Sequence, residues 1–208
     1  MSWSRLVRDP AEARAALADP GDALDLRAAS GLDDTWAALG FAALGPGELA
    51  CPLDVPLADL AATRALGARL AGSLRAGDLV VLSGSLGAGK TSMTRGLATG
   101  LGVRGPITSP TFVLARAHPG PVPLVHVDVY RLREAGSPAL DLADLDLEAA
   151  LDDGVVVVEW GEGLVEGLSD SRLHVRLSLG GHNTVNPEKG RIARVQAHGP
   201  RWSVVPLP

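Results

Sequence analysis

The chain has 208 residues, of which 46% are hydrophobic and 21% charged, a composition that supports a folded core and excludes a chain disordered throughout. Its 19 basic and 24 acidic residues give a net charge of −5, which argues against a broad basic face for nucleic acid. One cysteine, Cys51, excludes a disulfide framework and a cysteine-rich zinc site. No apolar run approaches the roughly 20 residues of a membrane-spanning helix, so we expect a cytoplasmic protein without a membrane partner.

The first 52 residues differ in composition from the rest of the chain. They are rich in Ala, Leu and Asp, are interrupted by prolines and glycines, and contain twice as many acidic as basic residues. We predict an N-terminal extension over residues 1–52 that is mostly helical or irregular, with at most two short helices and no assigned role. One further domain is predicted over residues 53–208.

Helical and strand patterns alternate after the extension. Leucines at helical spacing predict a helix over 57–75, and continuous apolar runs predict buried strands over 79–82 and 155–158. The remaining predicted elements are helices over 91–101 and 144–151, strands over 112–117 and 124–127, and a closing hairpin-like pair over 173–179 and 192–197. This alternation predicts an α/β fold with a layered sheet and flanking helices.

A phosphate-binding motif lies between the first buried strand and the next helix. Residues 84–91, Gly-Ser-Leu-Gly-Ala-Gly-Lys-Thr, match the pattern G-x-x-x-x-G-K-[ST] in that context. The glycines let backbone amides close around phosphate oxygens, Lys90 reaches the β and γ phosphates, and the Thr91 hydroxyl binds magnesium. The motif predicts a P-loop NTPase-like sheet. Because the chain contains no Asn-Lys-x-Asp motif for reading guanine, ATP is the expected nucleotide.

Two carboxylates follow apolar strands, and a stiff turn follows the helix predicted over 91–101. Asp128 and Glu159 should project from the carboxyl ends of their strands, where open α/β sheets bind ligands. Either could hold magnesium or orient water, and their division of labour stays open. The turn Ser-Pro-Thr at 109–111 suits a segment that senses the γ phosphate. His126 is interpreted as a structural histidine, and no zinc site is expected.

Five motifs occur in a specific order: Leu-Gly-Ala-Gly-Lys-Thr at 86–91, Arg-Gly at 95–96, Ser-Pro-Thr-Phe at 109–112, His-Val-Asp-Val-Tyr-Arg-Leu at 126–132 and Val-Glu-Trp at 158–160. Together they resemble the TsaE family, also called YjeE, the ATPases of bacterial tRNA threonylcarbamoyladenosine (t6A) biosynthesis. The resemblance runs from about residue 56 to the C-terminus and leaves out the extension. Ser85 departs from it, because the family usually has Asp there, and this change could alter turnover.

The resemblance implies a magnesium-dependent ATPase that supports turnover of the t6A machinery with TsaB and TsaD and is slow without these partners. It implies that tRNA is contacted only within that complex. It also implies that Lys90, Glu159 and Thr111 are catalytic residues and that Thr91, Asp128 and Glu159 bind magnesium. The residues expected to contact ATP are Gly84, Leu86, Gly87, Ala88, Gly89, Lys90, Thr91, Ser92 and Trp160.

Two other functions stay open at this point. A small-molecule kinase would use the same loop but needs an acceptor pocket and usually an arginine-bearing lid, whereas residues 136–151 are acidic and contain no arginine. A nucleotide-dependent binding module, in which hydrolysis is incidental, is the other alternative. A panel of metabolites offered with ATP would reveal a kinase, and the effect of partners on hydrolysis would reveal a binding module.

Overall fold

The structure is a computed structural model that describes residues 4–18, 25–28, 42–45, 48–52, 54–135, 142, 144–180 and 190–202. The helices are α1 (Pro10–Ala18), α2 (Leu60–Ala71), α3 (Lys90–Gly100), α4 (Tyr130–Ala135) and α5 (Leu147–Asp153), with 3₁₀ helices at Glu166–Leu168 and Pro200–Trp202. The strands are β1 (Ser4–Leu6), β2 (Asp25–Ala28), β3 (Ala42–Gly45), β4 (Glu48–Pro52), β5 (Asp54–Leu57), β6 (Leu79–Ser83), β7 (Ala115–His118), β8 (Leu124–Asp128), β9 (Val155–Glu159), β10 (Arg172–Leu179) and β11 (Arg191–His198). In this described part of the chain, no helix is long and apolar enough to cross a membrane.

The larger sheet has the strand order β5-β11-β10-β6-β9-β8-β7. Its four central strands, β10, β6, β9 and β8, run parallel to one another, and antiparallel strands complete both edges. Strands β6 and β9 are buried along their whole length, as their continuous apolar sequences predict for strands covered on both faces. The expected layered α/β sheet is confirmed, and the predicted closing pair is the antiparallel pair β10 and β11.

Helices cover the two faces of this sheet with separate apolar clusters. Helices α2 and α3 pack on one face, with Leu66, Leu70, Met93 and Leu97 among their buried side chains. On the other face, α4, α5 and residues near Val165 cover alternate positions of β6, β8 and β9. Because side chains alternate between the two faces of a strand, neighbouring residues of β8 and β9 lie in different layers.

Glycines allow α2 and α3 to approach each other closely. A Cβ atom on Gly67 would lie 2.5 Å from the carbonyl oxygen of Met93, and one on Gly96 would lie 2.1 Å from that of Arg64. Any larger residue at either position would force the helices apart. This contact fixes the position of α3, whose first residue is Lys90, against the rest of the domain.

Two element boundaries differ from the predicted ones for local reasons. Helix α2 begins only at Leu60, because the Asp59 side chain accepts a hydrogen bond from the Ala62 amide at 2.8 Å and caps the helix there. Leu57, predicted as the first residue of this helix, instead lies in β5, which pairs with β11, and the helix ends at Ala71 rather than near residue 75. Strand β7 begins at residue 115 rather than 112, because the preceding residues form a turn that ends at Leu114 with φ +63°.

A third boundary shift concerns the helix predicted over 144–151, which spans Leu147–Asp153 instead. The residue before it, Asp146, has φ +46° and therefore cannot continue the helix toward the N-terminus. Helix α4 was not predicted, because its six residues are too few to show a helical period.

The N-terminal extension is the main correction to the predicted fold. Its described residues form one helix, α1, and a four-stranded sheet of order β1-β2-β4-β3, and the prediction of a mostly helical or irregular extension did not include this sheet. Strands of three to five residues show too few alternations to be recognised, and their pairing depends on tertiary contacts. The domain boundary after residue 52 stays a prediction.

Candidate nucleotide-binding site

The loop between β6 and α3 has a backbone conformation that depends on glycine. Gly84, Gly87 and Gly89 have φ values of +137°, +78° and +108°, which other residues rarely adopt. Gly84 carries a second constraint, because a Cβ atom there would lie 2.0 Å from the carbonyl oxygen of Leu177 on β10. The loop leads directly into the N-terminus of α3, where free backbone amides favour an anion.

Lys90 is almost fully buried at the start of α3. Its Nζ donates hydrogen bonds to the carbonyl oxygens of Gly84 at 2.8 Å and Ser85 at 2.9 Å, and it lies 3.6 Å from the centroid of the Trp160 ring. Burial lowers the pKa of Lys90, whereas the negative charges of Glu159 and Asp128 act in the opposite direction. The ammonium group is thus held at the loop, close to two carboxylates.

Asp128 ends β8 and accepts three hydrogen bonds. Its Oδ2 accepts from the hydroxyl groups of Ser109 at 2.7 Å and Thr111 at 2.6 Å, and its Oδ1 accepts from the backbone amide of Tyr130 at 3.0 Å. The turn at 109–111 is therefore tied directly to this carboxylate. A ligand that competes for Oδ2 would release both hydroxyl groups.

Glu159 ends β9 in register with Asp128, and only 3% of it is exposed. Its Oε2 accepts a hydrogen bond from the Thr91 hydroxyl on α3 at 3.2 Å, and its Oε1 lies 2.8 Å from Nε2 of His126 on β8. One carboxylate therefore joins the helix that follows the loop to the central strands of the sheet.

These groups border one cavity of about 430 Å³. The predicted site residues that line it are Leu86, Gly87, Gly89, Lys90, Thr91, Ser92, Thr111, Asp128, Glu159 and Trp160. Gly84 and Ala88, which we also expected to contact ATP, are not among its lining residues. Gly84 accepts the hydrogen bond from Lys90, and the Ala88 side chain is fully buried.

The structure adds residues that sequence reasoning missed. Leu60 and Tyr130 also line the cavity, and the Tyr130 ring lies 5.0 Å from that of Trp160 between centroids. Arg191 on β11 donates from Nε to the carbonyl oxygen of Ala88 at 3.0 Å and from Nη2 to that of Gly87 at 3.3 Å. The motif around Asp128 includes Tyr130 and could have indicated it, whereas no sequence signal connects Leu60 or Arg191 with the loop.

A family model described as "Threonylcarbamoyl adenosine biosynthesis protein TsaE" matches residues 57–186. The chain belongs to the TsaE family. A Streptomyces coelicolor protein named "tRNA threonylcarbamoyladenosine biosynthesis protein TsaE" is 57% identical over 145 residues, which cover 67% of this chain and 93% of that protein. A Bacillus subtilis protein of the same name is 36% identical over 121 residues, covering 57% of this chain and 73% of the relative.

A solved structure supports the same assignment. The structure titled "Crystal structure of Bacillus subtilus YdiB" matches with a TM-score of 0.58 and 29% identity, and the match covers 73% of this chain and 88% of the other. The predicted family and fold are thus confirmed. The family model ends before β11 begins, so the contact between Arg191 and the loop lies beyond the part of this TsaE-family chain that the model matches.

The side chains around the cavity offer oxygen atoms to a cation. Thr91, Asp128 and Glu159 supply a hydroxyl and two carboxylates, the oxygen ligands that Mg²⁺ prefers, and Mg²⁺ usually takes only one or two protein carboxylates besides phosphate and water. Among the residues that the structure describes, no group of three or more His, Cys, Asp or Glu side chains could hold a metal alone. The oxygen atoms of Thr91, Asp128 and Glu159 fit a magnesium ion that also binds phosphate and water.

Proposed function

We propose that this TsaE-family chain is a magnesium-dependent ATPase of t6A biosynthesis, which acts with TsaB and TsaD in the cytoplasm and is slow without them. The observation that carries the proposal is the meeting of Lys90, Thr91, Asp128 and Glu159 around one cavity at the glycine-rich loop. The names of the relatives supply the pathway. The resemblance of the five motifs to the TsaE family implies the two partner proteins.

Binding of ATP would use backbone and side-chain groups of the loop. The amides at the start of α3 and the Lys90 ammonium would neutralise the β and γ phosphates. Phosphate oxygens would replace the carbonyl oxygens that Lys90 now contacts. Thr91 and Asp128 would hold the magnesium ion, which when bound withdraws negative charge from the phosphates. Trp160, beside Lys90, would border the phosphate groups.

Hydrolysis would need a water molecule in line with the bond between the β and γ phosphates. One oxygen of Glu159 accepts a hydrogen bond from Thr91 and the other lies at His126, so its carboxylate is fixed beside Thr91, which would be a magnesium ligand. We assign it the role of orienting that water, which adds to the γ phosphorus as the bond to ADP breaks. The products are ADP, inorganic phosphate and one proton.

The turn at 109–111 would report the state of the nucleotide. Ser109 and Thr111 both donate to Asp128 in the structure. If Asp128 held magnesium, its carboxylate would be less available to these hydroxyl groups, and Thr111 could turn to the γ phosphate. Loss of that phosphate would return the turn to Asp128, which gives partner proteins a surface that changes during each cycle.

Contact with tRNA would occur only in the assembled complex. The net charge of −5 offers little counterion release on binding nucleic acid, so affinity in the isolated chain has to come from local groups of arginines. TsaB and TsaD would therefore provide most of the surface that holds tRNA.

The test is a reconstituted modification reaction. Purified tRNA, threonylcarbamoyl-adenylate, TsaB, TsaD and ATP are combined with the wild-type chain, with the Lys90→Ala variant or with neither, and modified tRNA is counted per TsaD. We expect repeated turnovers only with the wild type, together with release of phosphate from ATP that the partners accelerate. Equal modification in all three reactions would refute the proposal, and transfer of the γ phosphate to a small molecule would identify a kinase instead.

A further inference from the structure

His126 makes its hydrogen bond with the proposed water-orienting carboxylate. It lies on β8, is fully buried, and places Nε2 2.8 Å from Oε1 of Glu159. In the parallel register His126 is paired with Val157, and Glu159 lies two residues further along β9 on the same face. The imidazole therefore reaches diagonally across the two strands to the carboxylate.

The direction of this hydrogen bond follows from its partner. An ionised carboxylate only accepts hydrogen bonds, so Nε2 of His126 must carry the proton. The other ring nitrogen, Nδ1, is buried and has no hydrogen-bond partner among the residues that the structure describes. The contact with Glu159 is therefore the hydrogen bond that orients the ring.

The orientation of the Glu159 carboxylate depends on this donor. Its side chain has three rotatable bonds and only 3% exposure, and its hydrogen-bonded neighbours in the structure are His126 at one oxygen and Thr91 at the other. Thr91 is also a proposed magnesium ligand, so its hydroxyl would be drawn to the metal. His126 is then the contact that still fixes the carboxylate when nucleotide is bound.

We propose that His126 is a positioning residue for hydrolysis, which holds Oε1 of Glu159 through Nε2–H so that Oε2 stays directed at the cavity. The inference rests on the proposed ATPase function and adds to it a residue that contacts neither nucleotide nor metal. Neighbours that orient a ligand or catalytic group commonly contribute about 10–100-fold to activity. Because His126 does not line the cavity, its loss should lower kcat and leave KM for ATP nearly unchanged.

The test compares three variants in steady-state ATP hydrolysis. His126→Met removes the donor at similar size, His126→Gln keeps an N–H donor near the position of Nε2, and His118→Met removes a buried histidine of the adjacent strand β7 that does not contact Glu159. We expect His126→Met to lower kcat about 10–100-fold with KM changed less than about threefold, and His126→Gln to recover most of the activity. His118→Met should keep the wild-type kcat.

A double-mutant cycle separates positioning from a general effect on the sheet. In the Glu159→Ala background, His126→Met should cause no further fall in kcat, because the group that it positions is gone. An equal fall in both backgrounds, or a folded His126→Met protein with wild-type kcat, would overturn the inference. Recovery by His126→Gln that is no better than His126→Met would also overturn it.

A measurement on the wild-type protein covers the case in which His126→Met does not fold. The ¹⁵N spectrum of the imidazole ring should show the tautomer that carries hydrogen on Nε2, with chemical shifts that change in Glu159→Ala. The opposite tautomer would overturn the inference. Failure of the proposed function looks different, because the wild-type chain would then hydrolyse no ATP with or without TsaB and TsaD, whatever the state of the ring.

Discussion

The two walls of the proposed nucleotide cavity are built in different ways. The P-loop wall, residues 84–91, is continuous in sequence and depends on backbone groups, glycine conformations and one lysine. The carboxylate wall consists of Asp128 and Glu159 at the ends of β8 and β9. These two side chains are held by hydrogen bonds with Thr91 of the P-loop wall, with His126 and with the turn at 109–111. Thr91 and Glu159 are 68 residues apart and still share a hydrogen bond.

The two walls should therefore respond differently to substitution. The conformation of the P-loop wall is set by local φ angles and by close contact with β10, so substitutions there should impair binding of ATP or folding. The carboxylate wall depends on side chains brought together by the register of β8 and β9, so substitutions there should chiefly impair hydrolysis. The following experiments test that division.

The largest expected effect is that of Lys90→Ala in the P-loop wall. This change keeps the loop amides but removes the charge facing the β and γ phosphates, and loss of one partner of a buried charge pair costs roughly 2–5 kcal/mol. We expect ATP affinity to fall about 10³-fold, measured by calorimetry with ATP and magnesium. Arg104→Ala, which removes an exposed cation that does not line the cavity, is the control. Unchanged affinity of the Lys90 variant would exclude this wall from the site.

Gly84→Ala tests the backbone of the same wall. The added Cβ would meet the Leu177 carbonyl oxygen at 2.0 Å while φ stays at +137°, and we expect a loss of about 3 kcal/mol in the free energy of unfolding. Gly87→Ala is the matched control, because Gly87 also has a positive φ but a Cβ there meets nothing within 4 Å. Its cost should be about 1 kcal/mol. Equal urea midpoints for the two variants would show that the contact with β10 does not fix the loop.

Asp128→Ala and Glu159→Ala separate the two carboxylates of the other wall. Both should depress hydrolysis about 10²-fold. Asp128→Ala should also reduce the dependence of ATP binding on magnesium, whereas Glu159→Ala should bind ATP nearly as the wild type does. Magnesium titrations followed by calorimetry measure the difference. The reverse pattern would exchange the two roles, and normal turnover in either variant would remove that residue from the site.

The same contrast explains what could be predicted from sequence. The P-loop wall was recognisable because its glycines, Lys90 and Thr91 lie within one short motif. Each of these residue types has its own physical role in binding phosphate. Asp128 and Glu159 were correctly expected at strand ends, since each follows an apolar run. The contact between Glu159 and His126 could not be predicted, because it requires β8 and β9 to be neighbours in a known register. The sheet of the extension was missed because its strands are short and pair through tertiary contacts.

Arg191→Gln tests a side chain on β11 that supports the P-loop wall. Its guanidinium donates to the carbonyl oxygens of Gly87 and Ala88, so its loss should loosen the loop and weaken ATP binding about 3–10-fold, the effect of roughly 1 kcal/mol. The kcat should change little, because the carboxylate wall is untouched. Arg194→Gln is the control on the same strand, since Arg194 pairs with Asp54 at the surface. Equal ATP affinities in the two variants would contradict a role in the loop.

The smallest effect concerns the support beneath the P-loop wall, where Nε2 of His174 lies 2.8 Å from the Ser83 hydroxyl at the end of β6. Burial lowers the pKa of His174, which the charges of Arg176 and Arg172 lower further while Glu162 and Glu166 oppose them. Burial also lowers the pKa of His118 and His198.

Above the unfolded-state pKa, about 6.5, these histidines are neutral in both states and contribute nothing to the pH dependence of stability. As the pH falls through that value, the unfolded chain takes up protons that the folded chain resists, so stability is lost until the lower folded pKa values are passed. Between pH 7.5 and 5.5 we expect Tm to fall by about 2–4 °C, the shift that 1 kcal/mol produces in a protein of this size. The His174→Gln variant, whose new side chain cannot titrate, should show a smaller fall in Tm. An equal fall would show that His174 does not cause the pH dependence.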